Sequence, residues 1–291
     1  MENKWIKLTS TYLKLIKFNL SVAVAFSAAA GYILFGDAGS LKGLAATVGG
    51  VFFLSGGAAA LNQFQERRTD ALMPRTRKRP LPSHELRPWS ALLTALLMIA
   101  EGLVLLATFT GWLPALLGLM NVVLYNLIYT NLKRRTFLAV IPGGLVGAVP
   151  PLIGFTAAGG SLLAPQALFL AGFMFMWQIP HFWLLLTCYR SEYERAGFGS
   201  FIKKPDEKDL KTIIPAWIVL TSIALLFAGE FGIALEGGLW FLLAGVNISV
   251  TALFLVFIPK AKEEVSEKRA LVVLNGFGMA VLIILMMTAV L

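Results

Sequence analysis

Nine apolar runs of about 20 residues, joined by short connections, leave this chain few architectures. They fall at roughly 15–36, 41–65, 88–110, 112–131, 137–158, 163–188, 210–229, 238–258 and 269–290. A run of that length spans the hydrocarbon core of a bilayer as a helix, and a helix satisfies all its backbone hydrogen bonds within one segment. Composition agrees: 57% of the residues are hydrophobic and 14% charged, whereas charged residues make up about 25% of a soluble domain. The expectation is an all-α, polytopic membrane bundle of about nine transmembrane helices around a central cavity, forming one domain over residues 1–291.

A net charge of +9 would point to nucleic acid in a soluble protein. Here the loops account for it, so the partner is the lipid bilayer and nucleic acid is set aside. All but Lys42 of the 25 Lys and Arg collect on one side of the proposed spans, and the connections on the other side are short and Gly-rich. The positive-inside rule then places the N-terminus in the cytoplasm and the C-terminus outside, in a cell (inner) membrane. Residues 1–17 mix Lys4, Lys7, Lys14 and Lys17 with Trp5 and Ile6, with no small-residue cleavage site, so no signal peptide is expected. The single Cys188 excludes a disulfide framework or a cysteine metal cluster.

The second run ends in Leu61–Pro82, LNQFQERRTDALMPRTRKRPLP. Asn62, Glu66 and Asp70 recur every fourth residue, so on a continuous helix all three share a face. Carboxylates on one face followed by Arg75, Arg77, Lys78 and Arg79 suit a Mg²⁺–diphosphate site, because Mg²⁺ takes a few carboxylate oxygens and fills its other positions with water or phosphate. A solvated charged loop closing a transmembrane span is the alternative. The sixth run ends in a second acid-bearing segment, with Glu192. Spans one to four could thus correspond to five to eight, with the ninth extra, which puts both acid segments on one membrane face.

Tyr125, Tyr129 and Lys133 are spaced by four at the end of the fourth run, where the hydroxyls and ammonium could reach the diphosphate. Glu101, mid-way along the third run, is expected to face the interior with Asn121 or Asn126 as partner. The fifth run carries Pro142, Gly143, Gly144, Gly147, Pro150 and Pro151, so it packs closely on a neighbour or lines a cavity. In the sixth, Trp177, Gln178, His181 and Trp183 flank Pro180, which should kink the helix. His181 precedes Glu192 by three turns, about 16 Å deeper on the same face, which suits an acceptor pocket below a metal site. No GxSxG, HExxH, Walker or Rossmann fingerprint occurs.

These segments together resemble the UbiA superfamily of intramembrane prenyltransferases. The resemblance rests on Asn62–Asp70 and Arg75–Pro82, on Tyr129–Thr136, on Gly143–Gly154, and on Tyr189–Gly197. The WQIPHF stretch, Trp177 to Phe182, points to the haem-farnesylating branch. Departures from that branch are Glu66 and Glu192 in place of Asp, Ala139 in place of Asn, Phe155 in place of Trp, Gly199-Ser200 in place of Pro-Met, and Lys17-Phe18-Asn19 in place of Lys-Pro-Arg. The resemblance implies transfer of a farnesyl group from farnesyl diphosphate to a vinyl group of haem B, giving haem O for a downstream haem A synthase or terminal oxidase assembly. It implies Glu66, Asp70 and Glu192 as Mg²⁺ ligands and catalytic groups with Asn62 in support, and Arg75, Arg79, Lys133 and Tyr129 as diphosphate contacts. His181 and Trp177 would meet the porphyrin. Prenylation of an aromatic quinone precursor, or a non-catalytic transporter or assembly factor, remain as alternatives.

Overall fold

The computed structural model describes residues 4–35, 40–197, 206–257 and 264–289. Among them there is no strand. Twelve α-helical segments follow in order: α1 (Lys4–Leu15), α2 (Phe18–Leu34), α3 (Leu41–Asp70), α4 (Pro88–Phe109), α5 (Trp112–Val123), α6 (Thr130–Leu132), α7 (Val140–Ala157), α8 (Pro165–Cys188), α9 (Arg190–Arg195), α10 (Glu207–Leu226), α11 (Gly238–Phe257) and α12 (Glu264–Met287). Among the described residues eight helices are long and apolar enough to cross a membrane, and α1 with α2, joined at a 52° bend, makes a ninth as a bent pair. The bend centres on Lys17, whose φ of 48° is an uncommon conformation for a side-chain-bearing residue. The amphipathic α1 exposes Trp5, Ile6, Leu8 and Leu13.

Local chemistry sets the helix ends. The Ser40 hydroxyl accepts from the Gly43 N–H at 2.9 Å and caps α3. Pro88 and Pro165 occupy first-turn positions of α4 and α8, where a missing N–H costs nothing. Pro180 lies inside α8 without ending it. Between α5 and α6 the chain widens into a π-helical segment, Leu124–Tyr129.

Packing joins α3 to α4, α2 to α7, and α7 to α8, while α10 and α12 lie against α8. The α2–α7 crossing depends on glycine: a Cβ at Gly31 or Gly154 would overlap the backbone carbonyl of Pro151 or Ala28. One apolar core joins α8, α10, α11 and α12 through residues such as Phe173, Ile214, Phe254 and Leu274. A second joins α2, α3, α4, α5 and α7 through Ala28, Leu54, Leu106 and Ile153.

Two expectations fail. Glu101 is exposed on the outer stripe of α4 with Leu93, Leu97 and Val104, and among the described residues nothing pairs with it. Its expected partners are engaged elsewhere: Asn121 donates to the Val146 carbonyl, and Asn126 to the Ala58 carbonyl and the Gln65 side chain. The continuous helix from His181 to Glu192 is also absent. Tyr189, at φ −124° and ψ 19°, leaves the helical region, so α9 starts afresh and carries Glu192 in its own direction.

Candidate active site

The face expected on α3 forms as predicted by its spacing. The helix runs unbroken to Asp70, and Asn62, Glu66 and Asp70 are all buried at its end. Glu66 sits at the centre of a polar knot. Its Oε2 accepts from Lys133 Nζ at 2.6 Å and from Asn62 Nδ2 at 3.0 Å, and its Oε1 accepts from Arg134 Nη2 at 3.2 Å. One turn on, Asp70 Oδ2 accepts from Arg79 Nη1 at 2.7 Å. The loop that brings Arg79 back is held by Thr76, whose hydroxyl donates to the Asp70 carbonyl at 2.8 Å.

The π-helical segment supplies the opposite wall. The Thr130 hydroxyl donates to the Tyr125 carbonyl at 2.9 Å and accepts from Asn62 Nδ2 at 3.0 Å. The Tyr125 and Tyr129 rings stack at 5.7 Å, and Lys133 Nζ lies 5.5 Å from the Tyr129 centroid. Here the extra residue per turn aims Thr130 and Lys133 at the acids of α3, in keeping with the use of such bulges at functional sites.

Glu192 reaches this mouth from α9. Its Oε2 accepts from the Arg75 backbone N–H at 3.0 Å, while the Arg75 guanidinium lies over the Tyr189 ring at 4.3 Å. Arg75 therefore steadies α9 in this state. The neighbouring Tyr193 sees the charges of Glu66, Arg75 and Arg79, and burial holds its phenol above the usual tyrosine range, so it stays a neutral hydroxyl.

The three carboxylates do not close on one another. Among the described residues no three His, Cys, Asp or Glu side chains form a group that could hold a metal ion. Each acid has its own donor instead: Lys133 and Arg134 on Glu66, Arg79 on Asp70, the Arg75 N–H on Glu192. Their chemistry nonetheless suits a hard cation. Carboxylate oxygens are what Mg²⁺ takes, and the Lys and Arg that now neutralise them are the residue types that bind phosphate.

Beside this mouth lies a half-open cleft, lined by Tyr129, Lys133, Ala139, Phe182, Leu185 and Tyr193 among others. It is polar at the Lys133 end and apolar along α8. Phe155 is buried elsewhere, edge-on to Phe35 at 5.3 Å. Gly199-Ser200 lies outside the described residues.

Trp177 and His181 belong to a different face of α8, turned to α12. Trp177 Nε1 donates to the Leu274 carbonyl at 2.8 Å, and His181 Nδ1 is 2.9 Å from Asn275 Oδ1. Sequence reasoning missed Thr130, Arg134, Tyr193 and Asn275. It gave no site role to Lys17, noted as part of a departure from the branch pattern; this residue lies at the 52° bend within electrostatic range of Glu66, Asp70, Arg79 and Lys133. A left-handed lysine cannot be read from local sequence, and the other four take part through contacts between distant helices.

A family model described as the UbiA prenyltransferase family matches residues 23–282. The chain belongs to the UbiA prenyltransferase family. Among curated relatives, the protoheme IX farnesyltransferase of Geobacter sulfurreducens is 38% identical over 226 residues, covering 78% of this chain and 83% of the relative. The protoheme IX farnesyltransferase of Cytophaga hutchinsonii is 35% identical over 272 residues, covering 91% of each chain. Among solved structures, a UbiA homolog from Archaeoglobus fulgidus bound to DMAPP and Mg²⁺ superposes with a TM-score of 0.68 at 15% identity, covering 94% of this chain and 99% of that one. A digeranylgeranylglyceryl phosphate synthase gives 0.72 at 17% identity, covering 97% and 98%. At these identities the structures show the all-helical fold alone; the family match and the apolar helices make the chain an integral, multi-pass membrane protein.

Proposed function

We propose that this chain is a protohaem IX farnesyltransferase, joining the farnesyl group of farnesyl diphosphate to a vinyl group of haem B to give haem O. The observation that carries the chemistry is the pairing of buried Glu66 and Asp70 with Lys133, Arg134 and Arg79 at the end of an apolar bundle. Such a set exchanges partners readily. When a diphosphate enters, the cations can pass from carboxylate to phosphate oxygens. Glu66, Asp70 and Glu192 would be the residues that hold Mg²⁺, with Asn62 supporting Glu66. Bound Mg²⁺ would supply Lewis-acid neutralisation of the leaving diphosphate.

Arg75, Arg79 and Lys133 hold the diphosphate oxygens, and Tyr129 and Tyr193 bound the space beside them. The C1–O bond of the prenyl donor breaks with both electrons leaving on diphosphate. The terminal vinyl carbon of the porphyrin attacks the allylic cation at C1. Water captures the carbocation left on the former vinyl group and loses a proton, giving the hydroxyethylfarnesyl product. The apolar walls from Phe182 and Leu185 keep water from the first cation, since early capture would yield farnesol. His181 and Trp177 receive the porphyrin. The acid mouth and N-terminus face the cytoplasm in the cell membrane, and the product serves haem A synthase or terminal oxidase assembly.

The test is to incubate purified protein with haem B, farnesyl diphosphate and Mg²⁺ and to look for haem O by mass. Formation of haem O, lost by at least about 10²-fold in Asp70→Asn, is the expected result. Transfer to an aromatic quinone precursor with haem B untouched would replace the acceptor, and undiminished turnover by Asp70→Asn would remove the carboxylate site.

A further inference from the structure

About two turns before the end of α8, His181 stands in an arrangement that treats its two ring nitrogens differently. Nδ1 is 2.9 Å from the side-chain oxygen of Asn275 on α12, 94 positions away in the chain. An amide oxygen only accepts, so this contact places the ring proton on Nδ1. The ring is only part-buried, so with Nδ1 turned to Asn275, Nε2 is the nitrogen left open to a ligand.

The surroundings favour a flat, metal-bearing ligand. Trp177, one turn earlier on the same face, lies 5.5 Å from the imidazole centroid at a tilt of 33°, and Phe182 stands edge-on at 5.6 Å. The Trp177 ring is itself fixed, because its Nε1 donates to the Leu274 carbonyl and Gly278 leaves it room that a Cβ would fill. Thus α12 contributes a carbonyl, an amide and a gap within five residues, and all three orient the Trp177–His181 pair. Imidazole ligands to metals ordinarily donate the other ring N–H to a fixed acceptor, which sets tautomer and ring direction.

We propose that Asn275 is a positioning residue that holds His181 as the Nδ1–H tautomer, so that Nε2 serves as an axial ligand to the iron of the porphyrin acceptor. The proposal rests on the haem-acceptor reading and adds to it the atom that holds the iron and the residue that aims it. A neutral amide suits the role within the membrane, where a carboxylate would bring a second buried charge.

The test is spectroscopic. Ferric haem B is titrated into the full chain in nanodiscs, with the Soret band followed in the wild type and in His181→Gly, Asn275→Leu and Asn275→Asp. Binding of farnesyl diphosphate with Mg²⁺ is measured on the same preparations as a check of the intact diphosphate site. The wild type is expected to show an imidazole-ligated spectrum. His181→Gly loses that spectrum and regains it with added imidazole, while Asn275→Leu weakens haem binding about tenfold with diphosphate binding unchanged. Asn275→Asp, which keeps the acceptor, retains the ligated spectrum and shifts the iron midpoint potential downward. An imidazole-type band that persists in His181→Gly, or unchanged haem affinity in Asn275→Leu, overturns the axial assignment and leaves the farnesyl transfer reading standing. A wild type that takes up no haem yet prenylates another acceptor overturns both.

Discussion

Glu66 shows why the two cations on it are not interchangeable with one. Its carboxylate is buried and shared between Lys133 and Arg134, so removing either cation leaves the other as counter-charge. Lys133→Met and Arg134→Met should each lower stability by less than about 1 kcal/mol, since both cations are part-exposed. The double variant leaves a buried carboxylate with only Asn62 as donor and should lose about 3–5 kcal/mol. A double-mutant cycle on detergent unfolding midpoints measures the difference, and simple additivity would show that Glu66 finds another partner. At this scale the sequence was informative where contacts are local. Asn62, Glu66 and Asp70 lie on one helix, and helical period alone puts them together. Arg134 sits beside Lys133 in the chain but was not singled out, because which of three adjacent basic residues turns inward depends on the π-helical segment before them. Asn275 was invisible for a stronger reason: nothing near residue 181 encodes a partner on the last helix.

That π-helical segment, Leu124–Tyr129, is the element whose geometry most affects the site. Its sequence, LYNLIY, has nothing that distinguishes it from an ordinary membrane helix, so the spacing of Tyr125, Tyr129 and Lys133 suggested α-geometry. Deleting Ile128 would restore the ordinary register and turn everything after it by about 100°. Thr130 would then leave Asn62, and Lys133 would leave Glu66. The expected result is a membrane-inserted protein with prenyl transfer reduced by at least about 10²-fold, checked by the haem O assay beside size-exclusion profiles. The α2–α7 crossing gives the complementary case, an element interface far from the chemistry. Gly154→Ala forces the α2 backbone away and should lower stability by about 1–3 kcal/mol, seen as a lower unfolding temperature. The glycines and prolines of α7 did reveal that it packs closely, because small residues permit that approach and few other uses explain so many together.

At the scale of the whole molecule, hydropathy marks the spans closely, and the proposed orientation rests on charge alone. The length of α3 from Lys42 to Asp70, about 42 Å, matches a bilayer with its headgroup layers. Lys42 lies near Phe109 at one end, while Glu66, Asp70, Arg79 and Lys133 gather at the other. Glu101 was misjudged because hydropathy gives depth but not direction: the angle of a residue about its helix is set by which neighbours the helix meets, and α4 shows α3 a different face. The proposed orientation has a direct test. Cys188 is the chain's single cysteine and is buried, so it should give little background with a membrane-impermeant maleimide. Arg77→Cys, exposed in the loop after α3, should label only in inverted vesicles, and Lys42→Cys only in right-side-out ones. The reverse pattern would turn the acid mouth outward, away from a cytoplasmic supply of prenyl diphosphate, and would require the donor to reach the site from the other face.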